Sequence, residues 1–241
     1  MDIKKKPYQR HFAYQHPTFG TKHRLKADTA WKKSIYYWWW AYLKRNKEYL
    51  ACCEKGGQGK LSDLFVDFGD VRGDDFKTWW SKDGRGVRVF AEPRAEDSIR
   101  VLGEGEQALG IEETLTISLP LNLPKRFIER RFRELLAEYH QGKRGHQLAK
   151  QSKAKYKVQG QINIPAIKQA LEVYDFWVAN PQLRLWEIGN QLPKFQMSMK
   201  IKKGDTPASI THSKNVLAAT VSRYLRRARE SIENTVCGAF P

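Results

Sequence analysis

Three cysteines are all this chain has, and two of them, Cys52 and Cys53, are adjacent. An odd number with that spacing excludes a disulfide framework. There is no CxxC pair, and His11, His16, His23, His140, His146 and His212 are not at ligand spacing, which argues against a structural zinc. No run of about 18 apolar residues occurs, and the basic, polar start MDIKKKPYQR has no signal-type hydrophobic stretch. The expectation is a soluble, cytoplasmic protein without membrane contact. Acid is scarce as well: 26 Asp and Glu stand against 43 Lys and Arg, for a net charge of +17. Such an excess seeks a polyanion, for which nucleic acid is the usual candidate.

What is plentiful is aromatic surface, enough for a sizeable core in 241 residues. The spacing predicts a mainly α protein with a small β element (α+β) in four parts. Residues 1–27 form an arm, with Lys4, Lys5, Lys6, Arg10, Lys22, Arg24 and Lys26 interleaved with Tyr8, Phe12, Tyr14 and Phe19. It can track a nucleic-acid backbone or pack across the domain. Residues 28–142 read as an N-terminal α+β domain. Asp28 is a candidate N-cap. Trp31, Ile35, Trp38, Trp39 and Tyr42 make one buried helical face, and Asn46 breaks that helix before KEYLACCE. KGGQGK is a loop and not a phosphate-binding one, because Glu54 stands where that motif needs Gly and Leu61 where it needs Ser or Thr. Phe76, Trp79 and Trp80 suggest a helical turn in the core, and Val87 and Val89 the start of a short strand. Leu115, Ile117 and Leu119 alternate with polar residues as a second strand would. Pro124 opens a helix with Phe127, Ile128, Phe132, Leu135, Leu136 and Tyr139 inward, closed by Gly142.

Residues 143–160 contain no acid. Lys143, Arg144, Lys150, Lys153, Lys155 and Lys157 make them a basic linker, expected to be mobile without a partner. Residues 161–241 form a smaller helical domain. Pro165 lies in the first turn of a helix whose apolar face is Ile167, Leu171, Tyr174 and Val178, stopped at Asn180-Pro181. LRLWEIGNQL is a short second helix. A basic segment with Lys200, Lys202 and Lys203 then leads to a long final helix, His212–Pro241. In it Leu217, Val221, Tyr224, Leu225, Ala228 and Ile232 fall at offsets 0, 4, 7, 8, 11 and 15, a single buried stripe. The opposite face carries Asn215, Ala219, Ser222, Arg223, Arg226 and Arg227. Small residues among guanidiniums let a helix sit deep in a groove while long side chains reach base edges or phosphates.

This order of helices is that of a helix-turn-helix domain, with a connection far longer than the usual turn of about 3–4 residues. The strings ALEVYDFW, LRLWEIGNQL and VSRYLRRARESIENTVCGAF, with WWWAYLKRNKEYLACC ahead of them, resemble helix-turn-helix transcriptional regulators encoded on proteobacterial integrative elements and plasmids. The resemblance implies DNA-binding activators of element excision and transfer genes, though that family also has small members that bind other regulators. It implies a recognition role for Ser222, Arg223, Arg226 and Arg227, a bracing helix with Trp186, Glu187 and Ile188, and a core role for the Trp-rich helix.

The expected function is sequence-specific DNA binding without catalysis or cofactor. Arg223 and Arg226 would contact guanine edges or phosphates, and Ser222 and Asn215 base edges or backbone. Arg227, Lys143, Arg144, Lys153, Lys155, Lys200, Lys202 and Lys203 would add contacts, chiefly to phosphates. RNA as the ligand, a larger assembly and a homodimer stay open. One alternative is a subunit of a nucleoprotein assembly that clamps nucleic acid without reading it. Another is a metal-dependent nuclease built on Asp67, Asp70, Asp74 and Asp75, although the neighbouring glycines favour turn and cap roles for these.

Overall fold

The run IYYWWWAYL has apolar side chains at every position, so a helix made from it needs neighbours on all sides. That is what a computed structural model of the protein, which describes residues 12–21, 24–25, 30–73, 75–92, 102, 115–140, 152–193, 195 and 200–241, places at its centre. In α1 (Ile35–Leu43) every side chain except Tyr37 is buried, rather than one face only. Its N-cap is Ser34, after a 3₁₀ turn at Ala30–Lys33, while the expected cap Asp28 lies outside the described residues. Asn46 does end this helix. Its Oδ1 accepts the Tyr49 N–H at 2.9 Å and so caps α2 (Lys47–Glu54).

Three further helices wrap α1: α3 (Ser62–Phe68), α4 (Phe76–Ser81) and α5 (Arg85–Phe90). Phe76, Trp79 and Trp80 are buried as expected. The segment with Val87 and Val89 is helix α5 and not a strand. Gly84 at φ +63° turns the chain into it, and Gly86 lies flat under the Trp80 ring, where a Cβ would come within 2.2 Å. Two valines carry too little β preference to resist that packing. Two of the buried polar tips are matched: Trp79 Nε1 donates to the Phe68 carbonyl at 2.7 Å and the Tyr49 hydroxyl to the Gly69 carbonyl at 2.7 Å.

The described part of the N-terminal arm lies on this core. Phe12, Tyr14 and Phe19 pack against it, Gly20–Thr21 (β1) pairs antiparallel with Arg24–Leu25 (β2), and the Tyr14 N–H donates to the Tyr36 hydroxyl. Those aromatics are therefore not free to stack on bases. Residues 115–120 form no strand, because no described segment pairs with them. Helix α6 (Lys125–Tyr139) follows Pro124 as the pattern predicts, but it buries none of its side chains. Its expected end, Gly142, lies outside the described residues.

The basic linker differs most from expectation. Residues 152–158 alternate strictly, with Ser152, Ala154, Tyr156 and Val158 buried and the lysines between them exposed. Lys157–Val158 (β3) runs parallel to Ala239–Phe240 (β4), and the Gln159 N–H donates to the Phe240 carbonyl at 2.7 Å. The Ser152 hydroxyl and the Lys153 N–H both donate to the Glu92 carboxylate. This half of the linker is fixed, because its apolar period-2 face completes the core that its lysines conceal in the sequence.

Among the described residues three further helices follow: α7 (Ile164–Ala179), α8 (Leu185–Gln191) and α9 (Pro207–Val236). Ile167, Leu171, Ala228, Ile232 and Phe240 join the tryptophan core, and a second cluster gathers Val173, Ile188, Leu192, Phe195, Leu217, Val221 and Leu225. The protein is mainly α-helical with minor β pairing. Among the described residues no helix is long and apolar enough to cross a membrane.

Burial raises Tyr36, Tyr42, Tyr49 and Tyr156 far above the ordinary phenol range, and the Asp67 carboxylate adds to this for Tyr156. A phenol that ionises only in the unfolded chain stabilises the fold fully below its unfolded pKa, near 10, and this stabilisation is lost as pH rises beyond it. In an alkaline titration these four should yield phenolate absorbance only together with loss of the aromatic circular dichroism. Ionisation of all ten tyrosines while that signal persists would contradict the burial.

Candidate nucleic-acid interface

Helix α7 begins where Asn163 Oδ1 accepts the Ala166 N–H, with Pro165 in its first turn. Ile167, Ala170, Leu171 and Val173 are its buried residues; Tyr174 is half-buried, and Val178, expected inward, is 53 % exposed. Asn180 ends the helix, its side chain donating to the Phe176 carbonyl. Helix α8 opens on a capping contact, the Arg184 N–H donating to Glu187 Oε2 at 2.6 Å. Ile188 is wholly buried. Gly189 lets α8 lie against α9: a Cβ there would stand 3.1 Å from Leu217 and 3.2 Å from Val221.

Helix α9 starts five residues earlier than the sequence pattern suggests. Thr206 Oγ1 accepts the Ser209 N–H, and Pro207 takes the first turn. It also ends earlier, at Val236, where Gly238 at φ +75° turns the chain into β4. Leu217, Val221, Leu225, Ala228 and Ile232 are buried, and Tyr224 is half-buried with its hydroxyl donating to Gln169 Oε1 at 3.0 Å.

On the other side, Asn215, Ala219, Ser222, Arg223, Arg226 and Arg227 are all exposed. At about 1.5 Å per residue, Asn215 to Arg226 spans roughly 16 Å. Arg226 lies 3.8 Å from Glu230, and exposed Glu233 follows, so acid closes this face at its C-terminal end. Arg227 stands to one side, on a shallow cleft of about 200 Å³ that it shares with Tyr42, Asn163 and Glu230.

The lysine loop leads directly into the start of α9. The Ile201 N–H donates to Asn190 Oδ1 of α8 at 3.1 Å, and the Lys202 N–H to Asp205 Oδ2 at 2.8 Å. Both bonds hold the backbone and leave the Lys202 and Lys203 side chains exposed, with Lys200 half-buried. One contact between helices had no signal in the sequence: Lys214 Nζ lies 4.6 Å from the centre of the Trp186 ring, linking α9 to α8.

Lys153 and Lys155 belong to a different element. Lys153 is exposed on the 152–158 segment, whereas Lys155 Nζ lies 2.6 Å from Asp67 Oδ2, which places its charge on a carboxylate instead of leaving it open to phosphate. Lys143 and Arg144 lie outside the described residues. Among the described aspartates, Asp75 caps α4 by accepting the Thr78 N–H, and Asp70 accepts from the Arg72 backbone and guanidinium. The Arg72 hydrogen bond holds the Asp70 carboxyl below its usual range. Asp67 is neither turn nor cap. It is buried and accepts the Tyr156 hydroxyl at 2.6 Å. Asp74 lies outside the described residues. Among those described, no three His, Cys, Asp or Glu side chains come together as metal ligands would.

Residues 28–142 carry 19 basic and 19 acidic side chains, so their charges balance. Residues 161–241 carry 11 basic against 6 acidic. No family model, no curated protein and no solved structure matches this chain.

Proposed function

We propose that the protein binds duplex DNA in a sequence-specific way, without catalysis, as a regulator or accessory factor of a mobile genetic element. The mobile-element assignment rests on the resemblance of the α7–α8–α9 strings. The binding mode rests on α9. One observation carries it: the exposed face of that helix joins Asn215, Ala219, Ser222, Arg223 and Arg226, while α7 and α8 cover the opposite stripe. Ala219 and Ser222 are small enough for close approach to base edges. Arg223 and Arg226 are long enough for bidentate contact with guanine O6 and N7. Lys202 and Lys203, with Lys200, hold phosphates beside the entry of the helix and fix its register.

Arg223 is exposed, so Arg223→Ala should leave thermal unfolding nearly unchanged. On a site selected from a random duplex pool, Arg223→Ala or Arg226→Ala should cost about 1–3 kcal/mol. Random DNA should lose less, because there each arginine is one phosphate contact among several. Equal losses on both DNAs would make α9 a scaffold and favour a clamp that does not read sequence.

A further inference from the structure

Nine large apolar side chains stand exposed among the described residues, and seven of them lie between Leu115 and Tyr139. Helix α6 contributes Phe127, Leu136 and Tyr139 to these, and none of its side chains is buried, Ile128, Phe132 and Leu135 being half-buried. Its apolar residues Ile128, Phe132, Leu135 and Tyr139 recur at intervals of four, three and four, the seam spacing of a two-stranded coiled coil. We infer that α6 is a self-association helix whose occupant is the α6 of a second copy of this chain, packed antiparallel.

The side chains of the seam choose that partner and that direction. Antiparallel alignment about the point between Arg133 and Glu134 sets Phe132 opposite Leu135 of the second copy, and Ile128 opposite its Tyr139. Large residues meet smaller ones in every layer, as close packing requires. Parallel alignment would set Phe132 on Phe132 and Tyr139 on Tyr139. The flanking charges agree. Arg131 and Glu138 occupy the same edge of the seam, so a two-fold axis brings each arginine to the glutamate of the other copy, twice per dimer. In the parallel arrangement Arg131 would face Leu136. Within one chain Arg131 pairs with Glu134, an exposed contact that is readily exchanged. On the other edge Leu136, 40 % exposed, covers the layer beside Phe132. Two heptads alone are marginal, and the exposed Leu119, Leu121 and Leu123 ahead of the helix extend the apolar area available to the second copy.

The test reads mass without DNA, so it is independent of the proposed DNA-binding function. Sedimentation equilibrium over two decades of protein concentration should show a monomer–dimer equilibrium. Phe132→Asp should leave monomer throughout, with the circular dichroism of the tryptophan core unchanged. Arg131→Glu and Glu138→Arg should each weaken the dimer by about tenfold, and the two together should restore it to within a few-fold. A wild-type protein that stays monomeric overturns the inference, as does a dimer that survives Phe132→Asp. Failure of the double reversal to restore association overturns the antiparallel arrangement. A monomer that floats with phosphatidylcholine–phosphatidylglycerol vesicles, and loses this with Phe132→Asp, would make the stripe a lipid-facing surface instead.

Discussion

Raising salt from about 50 to about 200 mM should weaken binding to duplex DNA by about 10³–10⁵-fold. Residues 28–142 are balanced, so the net +17 comes from the arm, the 143–160 segment and the last 81 residues. Exposed Arg223 and Arg226 lie on one face of α9, and exposed Lys202 and Lys203 with half-buried Lys200 lie in the segment that leads into this helix. Together with contacts from the other basic segments they suffice for roughly 6–10 phosphates, and each neutralised phosphate releases condensed counterions. Lys155 should add little, because Asp67 already holds it. Lys202→Ala combined with Lys203→Ala should therefore make the log–log slope shallower by about two, whereas Lys155→Ala should leave it nearly unchanged. A slope near zero for the wild-type protein would end the nucleic-acid reading, whatever the arginine variants do.

Long periodic helices could be read from the sequence, and so could some local helix boundaries. The α9 stripe repeats over many turns, so both its buried and exposed faces emerged residue by residue; only its ends shifted, to Thr206–Pro207 and Val236. Asn46 signalled the break before α2 and Pro165 the start of α7 by local chemistry, whereas the Asn163 cap was not read. What stayed hidden depends on partners far along the chain. Asp67 meets Tyr156 across 89 residues, and nothing near Asp67 predicts a buried carboxylate. Lys214 over Trp186 is of the same kind. The 152–158 alternation was present in the sequence, but four apolar or small residues among lysines resemble a solvated linker until Phe240 supplies the pairing strand. For α6, amphipathicity fixed the helix but not what lies against its stripe, since periodicity carries no information about the neighbour. The surface proposed for DNA was legible mainly because it lies on α9, one continuous helix.

Phe240→Ala should destabilise the fold by about 3–5 kcal/mol, more than any single change on the α9 face. The residue lies in a two-residue strand with no helical context, so sequence periodicity gives no hint of this. Yet its side chain is wholly buried, with ring centres 5.6 Å from Trp39 and 5.2 Å from Tyr42. Trp39 and Tyr42 are themselves held: Phe68, Phe90 and Tyr156 surround Trp39, and the Tyr42 hydroxyl donates to the Ile167 carbonyl at 2.8 Å. Rings fixed in this way cannot collapse into the space the phenyl leaves, which puts the cost at the cavity-forming end of the range. The same loss removes the apolar anchor of β4 and with it the pairing that orders β3. Denaturant unfolding should show a lower midpoint with an unchanged slope, and the melting temperature should fall by roughly 6–20 °C. Val66→Ala is the matching control: Val66 is 73 % exposed, so its truncation should stay within about 0.5 kcal/mol. A Phe240→Ala cost as small as that of the control would place β4 outside the tryptophan core and undo the account of how residues 152–158 are held.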